Sequence, residues 1–564
     1  MDVPSIADSL DIAPESATGF TEKAVVQASR VMIATANPLA TEAGCDILQQ
    51  GGSAVDAAIA AQLVLGLTES QSSGIGGGAL LLLHDGAQVV AFDGRETAPA
   101  AATPDRFLDA QGKPLALRDA VVGGHSVGVP GVLKMLDMAH RQYGKLPWST
   151  LFQPAIRLAE EGFPMSRRLH LLLASDQQLR HVEPTRSYFY QADGTPKAIG
   201  TRLPNPDYAH VLKLIGTQGA EAFYHGQLVE DMVQAVRQYP THPGDLTAAD
   251  FAVYEAKKRQ PLQSTYRGYT VYGVPPPSAG GIAVLQILGI LEHFALHHDQ
   301  PLAVDSMHLI TEAERLAYAD RARYVADSDF VDVPVAGLLD RHYLATRSQL
   351  IRTTQSLGIA SPGEPRHAQT TQFGDDGALE LPSTSHISIV DAQGHALAMT
   401  TSIEAAFGSR IMVNGYLLNN QLTDFSFVPT EHGKPVANSI AARKRPRSAM
   451  APTLVFDPQG QFTMAVGSPG GSAIINYVVQ TLIAMLDWHL DPQQAVSLPH
   501  YGSRNGPTEL EQGRHLDVLV PRLEARGHTV ALIEMTSGLS AILKTAQGYA
   551  GGADPRREGT VQGY

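Results

Sequence analysis

The chain of 564 residues is longer than a typical single domain, and its 44% hydrophobic and 17% charged residues are typical of a globular protein. This length predicts two domains or one large layered unit. The net charge of −14 argues against nucleic-acid binding and against a basic membrane-surface patch. The single cysteine, Cys45, excludes an intrachain disulfide framework and a cysteine-based zinc site, and we expect it in the core.

The N-terminal region is acidic and lacks the apolar segment of a signal peptide. We find no stretch of about eighteen apolar residues, so no membrane span is predicted. We therefore expect a cytoplasmic protein, or a periplasmic or secreted one if a leader was removed. Residues 1–30 are polar and aperiodic, which predicts a loose arm.

The first third of the chain predicts two helices and a hairpin. Residues 41–52 have helical periodicity, and residues 54–67 are apolar nearly all round, which predicts a buried helix. Apolar strands are predicted over 79–83 and 89–92. The glycine loop at 74–78 lacks the Gly-Lys-Ser/Thr end of a phosphate-binding loop and follows a helix, so we expect a tight packed turn.

The middle of the chain, 125–350, is predicted to be mostly helical. Periodicity of 3.6 residues extends over 133–140, 282–294 and 307–324. Residues 351–383 are polar, rich in helix breakers and aperiodic, which predicts a linker.

The pattern changes to hairpins after Thr384. The predicted elements there are strands 385–391 with 395–403, strands 453–456 with 462–466, and a helix at 476–490. Strands flanked by buried helices on both sides predict stacked sheets with helices outside.

Thr384 is a candidate nucleophile because it lies directly before the first of these strands. A threonine hydroxyl needs a nearby base, and the α-amino group of an N-terminal threonine has a reference pKa of about 7.7–8.0. Cleavage of the Ser383–Thr384 bond would create that arrangement. A strand start rich in Ser and Thr is also an ordinary surface feature, so the segment alone leaves both interpretations open.

Three further segments each leave two interpretations open. Arg95, at a strand end, either binds a carboxylate or pairs with Glu96 at the surface. The polar cluster in 417–426 either meets a ligand ammonium group or forms backbone turns. The glycines of 467–472 either present N–H groups to an oxyanion or form the turn before a helix. The basic run at 444–447 predicts a solvated edge.

Ten segments, taken together and in order, resemble the γ-glutamyltransferase (γ-glutamyltranspeptidase) family of N-terminal nucleophile hydrolases. They are 34–43, 51–60, 72–78, 93–99, 127–131, 277–281, 384–386, 417–426, 444–452 and 467–472. The resemblance implies an α/β (α+β) fold, the four-layer αββα sandwich of that superfamily. It also implies self-cleavage at Ser383–Thr384 into a large subunit, 1–383, and a small subunit, 384–564, which together form a heterodimer.

By this resemblance, the Thr384 hydroxyl first attacks the Ser383 carbonyl. As the new N-terminus it then attacks the γ-glutamyl amide of glutathione-like donors. The γ-glutamyl-enzyme is released to water or to an amino acid or peptide acceptor. The implied enzyme is a γ-glutamyltransferase or glutathione hydrolase, and no metal or other cofactor is expected.

The resemblance also implies roles for individual site residues. Gly470 and Gly471 match the oxyanion-hole glycines, and Ser402 matches a hydroxyl residue that hydrogen-bonds the nucleophile. Arg95 matches the residue that pairs with the donor's α-carboxylate. Asp424 matches the residue that holds its α-ammonium group.

Other positions are companions of these residues or depart from the family pattern. Gln421 falls on a companion position in substrate binding, and His386 matches a position to which we assign a supporting role. Glu404 stands where many members have asparagine, and a carboxylate there still suits an ammonium group. Ser448 is a further candidate for substrate binding, but Ala449 follows it where a second serine is usual.

An alternative within the superfamily is an acylase that removes glutaryl side chains from cephalosporins. Such a substrate has no α-ammonium group, so Asp424 favours the γ-glutamyl donor. A non-catalytic, unprocessed homologue would be expected to lack Thr384, Arg95, Asp424 or the glycines at 470–471, all of which are present. The stretch between Asp424 and Ser448 is shorter than in members with a lid loop, which predicts an open cleft and tolerance of larger substrates.

Overall fold

Two seven-stranded antiparallel sheets lie at the centre of the fold. The computed structural model describes residues 17–298, 300–368, 373–378 and 380–564. The strands of these sheets are Val26–Ala28 (β1), Met32–Thr35 (β2), Gly78–His84 (β3), Val89–Asp93 (β4), Lys257–Arg259 (β5), Leu262–Tyr266 (β6), Tyr269–Gly273 (β7), Ser385–Val390 (β8), Ala396–Ser402 (β9), Thr453–Phe456 (β10), Phe462–Gly467 (β11), Ser540–Thr545 (β12), Gly548–Ala553 (β13) and Thr560–Gly563 (β14). The strand order is β1–β13–β12–β11–β10–β7–β6 in the first sheet and β14–β2–β8–β9–β3–β4–β5 in the second.

Helices cover the outer faces of the sheets. The longer ones are Pro38–Gln49 (α1), Ala54–Thr68 (α2), Val132–Tyr143 (α3), Gln153–Glu161 (α4), Arg167–Ser175 (α5), Pro206–Gln218 (α6), Gln227–Arg237 (α7), Gly280–Leu291 (α8), Val304–Tyr324 (α9), Arg341–Ser348 (α10) and Ile474–Leu486 (α11). Shorter helices are Leu117–Val121, Trp148–Leu151, Thr185–Phe189, Ala248–Ala252, Val335–Leu338, Pro492–Ser497 and Val520–Glu524. Among the described residues, no helix combines the length and apolar character needed to cross a membrane.

Small sheets account for the remaining strands among the described residues. Three of them are two-stranded pairs, and the fourth has three strands. They are Phe163–Pro164 with Arg202–Leu203, Met412–Val413 with Tyr416–Leu417, Thr430–Glu431 with Lys434–Pro435, and Tyr501–Ser503 with Thr508–Glu511 and Val530–Ile533.

The two faces of β3 show how the layers stack. Successive side chains of a strand point to opposite faces. Leu80 and Leu82 pack between the sheets, in a cluster with Leu454 of the first sheet. Leu81 and Leu83 belong to the cluster that includes the residues of α1, α2 and α3. The other face of the first sheet packs in the same way against α8, α9 and α11. The predicted four-layer αββα sandwich is thus confirmed.

Local sequence explains where the first two helices begin. Asn37 caps α1 and Pro38 occupies its first turn, so the helix starts before the predicted residue 41. Ser53 accepts a hydrogen bond from the Asp56 N–H, and the Asp56 carboxylate accepts one from the Ser53 N–H, which forms a capping box at the start of α2. The other predicted helices and hairpins are present, with ends displaced by a few residues.

The expected loose arm is wrong for residues 17–30. Strand β1 pairs with β13, and Lys23 Nζ donates to three backbone carbonyls between 554 and 559. Residues 1–16 lie outside the described residues. Between 351 and 383, the described residues form no helix or ladder strand, as predicted, but their backbone is anchored, for example from Gly363 to Asp320. Residues 369–372 and 379 of this segment lie outside the described residues.

Candidate active site

The Ser383–Thr384 bond lies at the start of β8, beside the end of β9. Ser385 pairs with Thr401 across these strands, so Thr384 is close to Ser402. In the continuous chain the Thr384 hydroxyl contacts the carbonyl oxygen of Ser383 directly. Thr384 is buried, and its own carbonyl accepts a hydrogen bond of 3.2 Å from Arg557. The arrangement places a hydroxyl against the carbonyl group that it is predicted to attack.

Ser402 bridges Thr384 and this carbonyl. Its Oγ lies 3.3 Å from Thr384 Oγ1 and donates to the Ser383 carbonyl oxygen at 3.2 Å. The Glu404 N–H donates to Ser402 Oγ at 2.8 Å and fixes its orientation. A donor on the carbonyl oxygen stabilises the negative charge that develops there during attack.

Ser402→Ala is expected to slow self-cleavage about tenfold to a hundredfold. The variant removes a hydrogen bond to an oxygen that becomes charged, worth about 1.5–3 kcal/mol. The measurement is the time course of fragment appearance on denaturing gels. Ser402→Thr, which keeps the hydroxyl, is the matched control. Cleavage of Ser402→Ala at the unaltered rate would contradict the assignment.

The His386 side chain is hydrogen-bonded within the pair of strands β8 and β9. Its ring is hydrogen-bonded to Thr400 Oγ1 at 2.8 Å and Ser388 Oγ at 3.1 Å. Burial lowers its pKa to about 3, so the ring is neutral at pH 7. A Cβ on Gly467 would lie 2.0 Å from the ring, so glycine at that position lets β11 approach His386. The supporting role of His386 stays a prediction.

The predicted oxyanion glycines lie where β11 leads into α11. Gly470 and Gly471 have φ of +135° and +56°, in the region that favours glycine. Gly470 precedes, and Gly471 begins, the single 3₁₀ turn Gly471–Ala473 that leads into α11. The Ser472 N–H in this turn donates to the Glu380 carbonyl oxygen at 3.2 Å. The turn therefore already binds a carbonyl oxygen in the uncleaved chain.

Arg95 and Asp424 meet in the interior although they are 329 positions apart in the chain. Both side chains are buried and form a direct ion pair. Gln421 Nε2 donates to Asp424 Oδ2 at 2.7 Å, and Arg95 Nη2 also donates to the Arg447 carbonyl at 2.7 Å. The site thus holds one cation and one anion side by side.

Glu404 adds a second carboxyl group next to Asp424. Burial and the neighbouring Asp424 raise the pKa of Glu404 well above its usual value. Burial likewise raises the pKa of Asp424, against the effect of Arg95. Asn420 donates to Glu404 Oε2 at 2.6 Å and the Leu381 N–H to Oε1 at 2.9 Å. A carboxyl pair of this kind suits a cationic group, which would compensate the second negative charge.

One small cavity brings the predicted residues together. The predicted residues that line it are Arg95, Thr384, Ser402, Glu404, Gln421, Asp424, Ser448 and Gly471. Gly470 is adjacent to this lining, and Ala449 belongs to it. The cavity has a volume of only about 20 Å³, enough for about one water molecule. Glu380, Leu381 and Ser383, which precede Thr384 in the chain, also line the cavity.

Comparison with known proteins identifies the family. The family model for Gamma-glutamyltranspeptidase matches residues 40–564. The chain belongs to this family. It is 36% identical over 546 residues to the glutathione hydrolase proenzyme of Bacillus subtilis (strain 168), covering 94% of this chain and 91% of that one.

Within the γ-glutamyltranspeptidase family, the chain is also similar to acylases. The acylase ACY 1 proenzyme of Pseudomonas sp. (strain SE83) is 35% identical over 559 residues, covering 97% of this chain and 96% of that one. The crystal structure of cephalosporin acylase from Bacillus halodurans matches with a TM-score of 0.84 at 27% identity, covering 98% and 99% of the two chains. These matches confirm the predicted family, fold and enzyme class. The roles of individual residues stay predictions.

The predicted solvated edge at 444–447 is wrong, because its charged side chains are buried. Arg445 lies 3.5 Å from Asp93, and Arg447 lies 3.0 Å from Asp376. Asp93 and Asp376 are far from residues 444–447 in the sequence. Their carboxylates compensate the arginine charges, which can therefore be buried.

Sequence reasoning also missed Arg321 and Glu380. Arg321 lies in the long helix α9 and Glu380 in the predicted linker, and the two form a buried ion pair near the predicted cleavage site. Arg321 falls in the predicted helix 307–324, and neither this segment nor the predicted linker carries a recognisable functional motif. The one sequence feature that could have indicated a role is the position of Glu380, four residues before Thr384.

Among the described residues, His308, Glu312 and His528 form the group whose ligand atoms are close enough to hold a metal ion. His308 Nδ1 lies 2.7 Å from His528 Nε2, and His528 Nδ1 lies 2.7 Å from Thr508 Oγ1. Glu312 accepts a hydrogen bond of 3.0 Å from Arg315. The group does not line the Thr384 cavity. We assign this group no part in the reaction.

Glu96 makes the free energy of unfolding of this protein depend on pH. Burial raises the pKa of this carboxyl from 4.5 to about 8, although Arg95 lies 3.9 Å away. Between these two values the folded chain binds more protons than the unfolded chain, so the free energy of unfolding falls as the pH rises through this window. Below about pH 4.5 the contribution is fully present, and above about pH 8 it is lost.

Glu96→Gln should remove this dependence. Between pH 5 and pH 9 we expect the melting temperature of the variant to gain about 2–5 °C relative to the parent chain. Calorimetry in a Thr384→Ala background keeps both proteins uncleaved. A difference in melting temperature that stays constant across this range would rule out the titration of Glu96.

Proposed function

We propose that this chain is a precursor that cleaves itself between Ser383 and Thr384 and then hydrolyses γ-glutamyl amides or transfers their γ-glutamyl group. The observation that carries the proposal is the contact of the Thr384 hydroxyl with the Ser383 carbonyl in a cavity that also holds Arg95 and Asp424. A hydroxyl group in contact with a carbonyl group supports acyl transfer. A buried cation beside a buried anion supports recognition of an amino-acid head.

Self-cleavage begins when Thr384 Oγ1 attacks the Ser383 carbonyl carbon. Ser402 donates to the carbonyl oxygen and stabilises the tetrahedral oxyanion. The C–N bond then breaks, the nitrogen takes up a proton, and an ester links Ser383 to Thr384 Oγ1. Water hydrolyses this ester, which gives a carboxylate on Ser383 and a free α-amino group on Thr384.

In turnover the new α-amino group acts as the base for its own hydroxyl. Its reference pKa of about 7.7–8.0 suits proton transfer near neutral pH. Oγ1 attacks the γ-carbonyl carbon of the donor, and the leaving amine takes the proton. Water, or the amine of an amino acid or peptide, then attacks the γ-glutamyl ester and restores the hydroxyl. The N–H groups around Gly470 and Gly471 stabilise the oxyanion of both steps.

The zwitterionic head of the donor replaces the internal ion pair. Arg95 binds its α-carboxylate, assisted by the Ser448 hydroxyl, and Asp424, with Gln421 and Glu404, binds its α-ammonium group. Each charge-assisted hydrogen bond is worth about 1.5–3 kcal/mol. Binding of the donor thus replaces the ion pair between Arg95 and Asp424 by two ion pairs, one of each side chain with the donor.

The two products of cleavage stay together as a heterodimer of 1–383 and 384–564. Both sheets alternate strands from the two parts: β8 and β9 lie between β2 and β3, and β10 to β13 lie between β1 and β7. Cutting one peptide bond leaves this strand pairing unchanged.

A second candidate is a glutaryl or cephalosporin acylase. It is supported by the acylase relatives, which cover as much of the chain as the glutathione hydrolase does. A glutaryl group offers no cation to Asp424 and Glu404, which argues for the γ-glutamyl donor.

The test compares γ-glutamyl-p-nitroanilide with glutaryl-p-nitroanilide, which share a leaving group and differ in the amino-acid head. We expect kcat/KM to be about a hundredfold higher for the γ-glutamyl substrate, because only its head carries the ammonium group, whose charge-assisted contact is worth up to about 3 kcal/mol. Equal values, or a preference for glutaryl, would assign the chain to the acylases. No turnover of either by a cleaved protein would overturn both proposals.

A further inference from the structure

The residues before the scissile bond fill the place that a substrate needs. The Glu380 carbonyl oxygen accepts from the Ser472 N–H, and the Leu381 N–H donates to Glu404 Oε1 at 2.9 Å. A Cβ on Gly471 would lie only 2.5 Å from the carbonyl oxygens of both linker residues. With a cavity of about 20 Å³ left, no acyl donor fits until this segment moves away.

The Glu380 carboxylate is held by two buried guanidinium groups. Arg321 Nη2 contacts both carboxylate oxygens, and Arg447 Nε lies 3.4 Å from Oε1. All three side chains are buried. Burial alone would raise the pKa of Glu380, but Arg321 and Arg447 hold it below its usual value, so the carboxylate is charged.

When Glu380 moves away, the guanidinium groups of Arg321 and Arg447 lose the carboxylate that they share. Arg447 keeps Asp376, at 3.0 Å. Among the described residues, Glu380 is the one carboxylate within ion-pair distance of Arg321. A buried guanidinium without a counter-ion is strongly unfavourable, so the vacated position attracts another anion. Arg95 is adjacent, since its Nη2 donates to the Arg447 carbonyl.

We propose that Glu380 occupies the position of a substrate carboxylate in the precursor, and that Arg321 and Arg447 form a second carboxylate-binding subsite once cleavage has released it. The proposal rests on the proposed function. Glu380 is four residues from Thr384, so the subsite lies within about 14 Å of the nucleophile along the chain, within reach of a peptide-sized substrate. Planar guanidinium groups favour bidentate binding of a carboxylate.

The carboxylate has two possible sources, which the experiment separates. One is the leaving group or acceptor, an amino acid or peptide. The other is the α-carboxylate of the γ-glutamyl head, which Arg321 and Arg447 would bind together with Arg95.

The first experiment measures KM and kcat of cleaved Arg321→Gln and Arg447→Gln with three donors. They are γ-glutamyl-p-nitroanilide, γ-glutamyl-3-carboxy-4-nitroanilide, whose leaving group carries a carboxylate, and 4-aminobutyryl-p-nitroanilide, which keeps the ammonium group but lacks the α-carboxylate. Arg410→Gln, which removes a buried guanidinium paired with Asp176, is the control for general damage.

A KM increase of about tenfold or more confined to the carboxy-nitroanilide supports a leaving-group subsite. A similar increase with both γ-glutamyl donors, but not with the 4-aminobutyryl donor, supports the α-carboxylate. Unchanged KM values, or a fall in kcat alike for all donors and for Arg410→Gln, would overturn the proposal. Wild-type turnover tests the proposed function separately.

A second experiment does not depend on cleavage or turnover. It compares the Thr384→Ala precursor with the Thr384→Ala/Glu380→Ala double variant in acetate and in chloride of equal ionic strength. We expect acetate to raise the melting temperature of the double variant by about 2–4 °C more than that of the single variant, and Arg321→Gln to abolish the gain. An equal effect of acetate on both precursors would show that no carboxylate replaces Glu380.

Discussion

Thr384→Ala is expected to leave the protein as one uncleaved, inactive chain of 60.2 kDa. The variant removes the hydroxyl that contacts the Ser383 carbonyl and with it the nucleophile of both self-cleavage and turnover. The wild type should instead give fragments of about 41 and 19 kDa, which is 60.2 kDa divided in the ratio of 383 to 181 residues. Intact mass and N-terminal sequencing of the smaller fragment make the comparison.

Thr384→Ser is the matched control because it keeps a hydroxyl on the same carbon and removes only a methyl group. We expect it to cleave at the same bond, at a lower rate, and to retain turnover. If Thr384→Ala were cut between residues 383 and 384 like the wild type, a hydroxyl other than that of Thr384 would have to supply the attack. The proposed mechanism would then be wrong.

The layered fold was predictable because its pattern is local. Four consecutive leucines, Leu80 to Leu83, are apolar on both faces of β3, which is what a strand between a second sheet and a helical layer requires. Strand β1 shows the limit of such patterns. It has three residues, and it is a strand because it pairs with Tyr549 to Gly551 at the other end of the chain.

Burial of charge was the part of the site that local sequence could not reveal. A basic run such as 444–447 looks solvated unless its acidic partners are known, and those of Arg445 and Arg447 include Asp93 and Asp376. The same reasoning applies to Arg95. Its segment allowed a surface pair with Glu96, whereas the structure buries it against Asp424. Only the resemblance of ten segments connected the two residues before the fold was known.

Asp424→Asn is expected to lower kcat/KM for γ-glutamyl-p-nitroanilide by a factor of about 10²–10³. The substitution is nearly isosteric, but it removes the carboxylate predicted to bind the α-ammonium group. Breaking a buried charge pair costs about 3–5 kcal/mol, and about 1.4 kcal/mol corresponds to a factor of ten. Self-cleavage should persist, because the contacts among Ser383, Thr384 and Ser402 do not involve Asp424.

Glutaryl-p-nitroanilide separates recognition of the ammonium group from general damage to the cavity. Its head has no cation, so Asp424→Asn should change its turnover little, and the preference for γ-glutamyl over glutaryl should disappear. Asp176→Asn, which alters a buried carboxylate paired with Arg410, controls for loss of stability. An equal loss with both donors would mean that Asp424 acts by holding Arg95 in place. The ammonium group would then have to bind elsewhere, and Glu404, the neighbouring carboxyl, would be the residue to change next.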